Sequence, residues 1–247
     1  MTKRFISILV SFAVILSLIP SITVAAAEGN EGIDVAGVTA GATENDPYEL
    51  PEEAFLYGTR GDTSEIVGIN SVWYQEHVID AGINYISLKI PASTVTIGHS
   101  FVGGFGTITG YPADNSPERD IAYISNRLVA VDFSEATGLK KIDYQAFFCA
   151  DKLTGEIDLS QTQVEEIGGT AFKETAITGV ILPNTLKKVG NDDPNNSSNA
   201  SVFGECSNLE YIRVAGGNPN AVFELPSQLE LVGYTGFFLD GTKIEQT

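Results

Sequence analysis

The chain has 247 residues, 32 acidic against 14 basic, a formal charge of −18, two histidines and two cysteines. A hydrophobic share of 43% allows a packed core, and 25 glycines argue against long helices. The composition excludes a disordered or collagen-like chain, and the few, scattered basic residues exclude an electrostatic nucleic-acid binder.

Residues 1–27 read as a secretory signal peptide. Lys3 and Arg4 open it, an apolar run from Phe5 to Val24 follows, and Ala25-Ala26-Ala27 precede Glu28. The run is long enough to span a bilayer, but Pro20 and the small-residue exit favour cleavage over an uncleaved anchor. Losing Lys3 and Arg4 makes the mature chain more acidic still. No later segment is apolar enough to span a membrane, and no cysteine near the signal offers a lipid attachment point. The expected product is secreted, either released or held at the cell surface, with no membrane contact after cleavage.

Residues 28–54 are expected to be an acidic flexible spacer, since Glu28 to Glu53 hold eight acidic residues and no basic one. Residues 55–82 form a leading or capping segment with short apolar runs such as Ile66-Val67-Gly68-Ile69 and Val72-Trp73-Tyr74, which suit short strands. Within it, Arg60-Gly61-Asp62 resembles the integrin-recognition tripeptide and is a candidate binding motif. An ordinary turn is the competing reading.

Residues 83–247 repeat. Leu128, Val131 and Phe133 precede Leu139, Ile142 and Ala146-Phe147; Leu153, Ile157 and Leu159 precede Val164, Ile167-Gly168 and Ala171-Phe172. Ile177, Val180, Leu182-Pro183, Leu186 and Val189-Gly190 form a third unit, whose Val202-Phe203 is delayed by an insertion at 191–200. Leu209, Ile212 and Val214 open a fourth, and Ile83 to Phe101 is a degenerate upstream copy. Proline, five residues, then a β-branched residue and glycine recur at Pro91, Pro183 and Pro226. A unit of about 25 residues cannot bury its own apolar face, whereas stacked units share one core. The spacing predicts a β-rich solenoid of four to five coils with short strands and irregular returns. Leu128, Leu153, Ile177 and Leu209 should stand at equivalent inward positions, and the Ala-Phe phenylalanines should stack along the axis.

These units resemble the BspA-like leucine-rich repeats of bacterial surface proteins, most closely at Leu153 to Phe172, Ile177 to Gly190 and Phe203 to Leu209. The resemblance implies extracellular binding or adhesion by a leucine-rich-repeat solenoid.

Cys149 and Cys206 follow phenylalanine plugs two rungs apart, roughly 10 Å at strand spacing, which is too far for a disulfide. Two buried free thiols filling a core position are expected. Gly98-His99-Ser100 lacks the spacing of a hydrolase elbow, and both histidines precede Ser100. Gly103-Gly104-Phe105-Gly106 misses the dinucleotide spacing. Neither the histidines and cysteines nor Asp192, Asp193, Asn195, Asn196 and Asn199 compose a zinc or calcium pattern, so no cofactor is expected.

Two functions from different classes follow. The first is a non-catalytic binding protein presenting a strand face to an extracellular protein or glycan. The second is a carbohydrate-active hydrolase using paired carboxylates on a β-solenoid. The outward column Asp132, Asp158, Ile181 and Arg213, with Tyr211 beside it, mixes acid, apolar and basic groups, which suits recognition better than a carboxylate pair. The inward neighbours Val131, Ile157, Val180 and Ile212 should serve the core.

Overall fold

The computed structural model describes residues 41–59, 61–102, 124–190, 201–232, 237 and 241–244. The chain runs β1 (Tyr48–Leu50), a 3-10 turn (Glu52–Ala54), β2 (Phe55–Thr59), β3 (Asp62–Ile69), a helical turn (Ser71–Tyr74) widening into a π turn (Gln75–Ile79), β4 (Ile86–Lys89) and β5 (Thr96–Ile97). It continues as β6 (Leu128–Asp132), β7 (Lys141–Ile142), β8 (Thr154–Asp158), β9 (Glu166–Ile167), β10 (Ala176–Leu182), β11 (Lys188–Val189), β12 (Tyr211–Val214) and β13 (Leu231–Val232).

Successive units each give one longer and one shorter strand. The short strands form one ladder in the order β13-β11-β9-β7-β5-β3-β2. Its parallel register sets Ile66, Ile97, Ile142, Ile167, Val189 and Val232 side by side, and β2 closes one edge antiparallel to β3. The longer strands form two parallel three-stranded sheets, β1-β4-β6 and β8-β10-β12. Parallel strands buried on one side need apolar residues at every second position, and Ile157, Val180 and Ile212 supply them in register. Two longer strands end alike: a carboxylate oxygen of Asp132 accepts the Ser134 N–H, and one of Asp158 accepts the Ser160 N–H, each at 2.8 Å. Such turns stop a strand and aim the chain toward the next corner.

The core is a stack. Phe147 and Phe172 lie 5.1 Å apart, Phe172 and Phe203 5.7 Å, and Phe203 and Phe237 6.1 Å, all near parallel. Phe101 meets Phe147 edge-on and lies over Phe55. Leu128, Leu153, Ile177 and Leu209 are all fully buried, as their positions in the repeat require. Leu153 is nevertheless out of step. It lies four residues before Ile157, whereas Ile177 lies three before Val180, and the ladder shifts register between Ile177 and Gly179. The unmatched residue at that shift is Thr178 of β10, and Gly155, paired with Ile177, takes φ +80, a conformation that costs glycine little.

Three expectations need correction. Residues 28–40 of the expected spacer lie outside the described residues, and its later part is not a spacer, because β1 pairs with β4 and both Leu50 and Ala54 are buried. Three alternating residues were too short a signal to stand out from acidic surroundings. The segment 55–82 is more than a leader: β3 joins the short-strand ladder and Phe55 joins the aromatic stack. The cysteines are both free, but only Cys206 fills a core position, hydrogen-bonded to the Phe172 carbonyl and in contact with the Thr175 hydroxyl. Cys149 is half-exposed. It sits two residues after its phenylalanine at φ 60, like Glu174 and Glu205, and one residue before the buried position that Ala150, Thr175 and Cys206 share.

The signal segment 1–27, the insertion 191–200, Gly103 to Gly106 and Arg60 lie outside the described residues. No helix among the described residues is long and apolar enough to cross a membrane.

Candidate functional site

Alternation along β8, β10 and β12 turns every second side chain away from the core. One outward column reads Asp158, Ile181 and Arg213 in hydrogen-bonded register, and the adjoining one reads Glu156, Gly179 and Tyr211. Asp132 is placed apart from them: it belongs to the other sheet, paired with Lys89, and no ladder joins β6 to β8. Val131, expected inside, is only partly buried against the core.

The columns are knitted together. Tyr211 lies across Gly179, where an added Cβ would overlap its ring, and its hydroxyl donates to Glu156 at 2.5 Å. That hydrogen bond, with burial, raises the Tyr211 pKa. The Arg213 guanidinium stacks 3.8 Å from the Tyr211 ring centre, and its Nε donates to the Ala221 carbonyl at 2.7 Å. Residues 221–224 fold back along β12: Ile212 N–H donates to Val222, and Glu224 N–H to Ile212. The Ser134 N–H holds the Asp132 carboxyl below its ordinary pKa.

Sequence reasoning found the outward column but missed what holds it. The signal was present in Gly179, a bare position on the strand between Glu156 and Tyr211. In the tripeptide loop, Gly61 and Asp62 are exposed; Asp62 accepts the Ser64 N–H, and the Ser64 side chain and backbone together lower its pKa.

The short-strand ladder presents a different face. Lys140-Lys141 precede Glu165-Glu166, then Lys187-Lys188, then Glu230, rung after rung. Lys141 pairs with Glu166 at 3.4 Å and Lys187 with Glu165 at 2.9 Å. Exposed pairs of this kind add little to stability. Among the described residues, no group of three or more His, Cys, Asp or Glu side chains is arranged to hold a metal ion.

The BspA type Leucine rich repeat region family matches the chain in six copies, over residues 81–200 and 119–224, which is more than half its length. No curated protein matches. Among solved structures, the crystal structure of the T. pallidum leucine rich repeat protein is 20% identical, covering 68% of this chain and 72% of that one, with a TM-score of 0.38.

Proposed function

Because the chain belongs to the BspA-type leucine-rich repeat family, we propose that it is a non-catalytic binding or adhesion protein, secreted or held at the cell surface, whose long-strand face meets an extracellular protein or glycan. In this reading the ladders are walls of one solenoid, with four to five coils from Ile83 onward and a further rung before them. The recognition residues are Asp158, Ile181, Tyr211 and Arg213, with Asp132 on the neighbouring sheet and the Arg60-Gly61-Asp62 loop as a separate candidate.

The observation that carries the reading is the Asp158–Ile181–Arg213 column, in which three successive hydrogen-bonded rungs offer acid, hydrocarbon and base. A hydrolase of glycosides needs two carboxylates free to serve one bond, about 5 to 10 Å apart. Glu156 and Asp158 share a face of β8, but Tyr211 occupies the first and the Ser160 N–H the second. Surface chemistry of mixed type on a rigid scaffold favours recognition.

The test is a panel of extracellular-matrix proteins and glycans probed with the mature chain, run beside a glycosidase substrate panel, with Arg213→Ala and Ile212→Ala compared for binding and thermal midpoint. Saturable binding that Arg213→Ala weakens, without turnover, supports the reading. Turnover of a glycan, or binding that Arg213→Ala leaves unchanged, overturns it.

A further inference from the structure

The internal contacts of Arg213 leave part of its guanidinium unused. Stacking on Tyr211 and the Nε bond to Ala221 fix its plane. Among the described residues, neither Nη group has a hydrogen-bonding partner and no carboxylate pairs with it. Lys89, by contrast, the cation on the neighbouring sheet, is taken up by Glu135 at 2.7 Å. A guanidinium held in one plane with its Nη edge open matches a carboxylate in a two-pronged grip, and the ordering cost has been met in advance.

The surroundings narrow the ligand. Ile181 stands beside Arg213 on the adjoining strand, and Val222, next to the Ala221 clamp, is 59% exposed. Both offer hydrocarbon. Sugars are commonly held by a bare aromatic face, yet Tyr211 is the one aromatic residue of β8, β10 and β12, and its ring lies between the Arg213 guanidinium and Gly179.

Resting on the reading of this face as the recognition surface, we propose that its ligand is a protein carboxylate, carried by an acidic residue next to an aliphatic one in an exposed segment of the partner. The carboxylate oxygens accept from the two Nη groups of Arg213, and the aliphatic neighbour covers Ile181 and Val222. The partner is thus a protein and not a glycan.

The probes are acetyl-Leu-Leu-Glu amide, its glutamine counterpart and trigalacturonate, titrated into the isotopically labelled mature chain while the Arg213 Nε–H and Ile181 methyl signals are followed. The glutamate peptide is expected to move both signals saturably, with a dissociation constant on the order of millimolar for so small a ligand. The glutamine peptide should bind about tenfold more weakly, and Arg213→Gln, which loses both the charge and the fork, should erase that difference. Equal binding of the two peptides, or discrimination that survives in Arg213→Gln, overturns carboxylate recognition by Arg213. Trigalacturonate binding as tightly as the glutamate peptide overturns the assignment to a protein. If Ile181→Glu abolishes binding of a partner from the wider panel while Arg213→Gln does not, the face stands and the carboxylate proposal fails. If neither substitution affects that partner, the face itself is wrong.

Discussion

Tyr211 occupies the space that a side chain at Gly179 would need, and its hydroxyl reaches past that strand to Glu156. One side chain therefore spans all three strands of its sheet. Gly179→Ala should push the ring away, break the Glu156 bond and cost about 1 to 3 kcal/mol in urea unfolding. The raised pKa places the bond's contribution below pH 10 and removes it as Tyr211 ionises, so alkaline titration should find Tyr211 nearer its ordinary value in the variant.

The aromatic stack carries stability. Phe172 lies between Phe147 and Phe203 and is completely buried. Phe172→Ala should cost about 3 to 5 kcal/mol by opening a cavity, and Phe172→Leu clearly less, measured by chemical denaturation.

Thr94 is a polar residue at an apolar position. It stands two residues before its short strand, where Leu139, Val164 and Leu186 stand in later units, and its buried hydroxyl has no hydrogen-bonding partner among the described residues. Thr94→Val keeps the shape and removes the unsatisfied group, so stability should rise by about 1 kcal/mol in the same assay.

Asp132 gives the fold an acid-sensitive turn. Its folded pKa lies below the ordinary 3.8, so the turn's contribution is present above that pH and is lost as pH falls through the lower folded value. Asp132→Asn, which makes the same turn without ionising, should lose the charged form's small contribution at neutral pH and flatten this part of the acid unfolding curve below pH 4.

Cys149 is half-exposed but should be sluggish. Burial and then the hydrogen bond to Glu174, 3.1 Å away, push its thiol up to about 12. Native protein should react slowly with a disulfide reagent at pH 8, and Glu174→Gln should accelerate labelling of Cys149 several-fold. Fast labelling of the unaltered chain would contradict this account.

Apolar spacing made the ladders readable from sequence, because a residue that must be buried in every unit leaves a mark at fixed intervals. Phe147, Phe172 and Phe203 could be aligned on that ground alone. The spacing failed where a unit gained or lost one position. Cys149 and Cys206 both follow phenylalanine, but one residue of offset moves a side chain from core to corner. β1 escaped notice because three residues carry too little period to outweigh an acidic neighbourhood. The outward column was legible as a column. Its internal bonds were not, since a clamp such as Arg213 to Ala221 depends on residues 215–224 returning to β12, which no periodicity encodes.

The alternating charges of the short-strand ladder bear on how the chain avoids misassembly. Units this alike can pair out of order, and a strand that skips its neighbour would still find isoleucine beside isoleucine or valine. Skipping β9 would set Lys140-Lys141 against Lys187-Lys188, and skipping β11 would set Glu165-Glu166 against Glu230. Like charges side by side repel, so the sign pattern tags each rung with an identity that its interchangeable hydrophobic residues lack. The ion pairs add little to the finished ladder, but they penalise the wrong partner at the moment a strand docks.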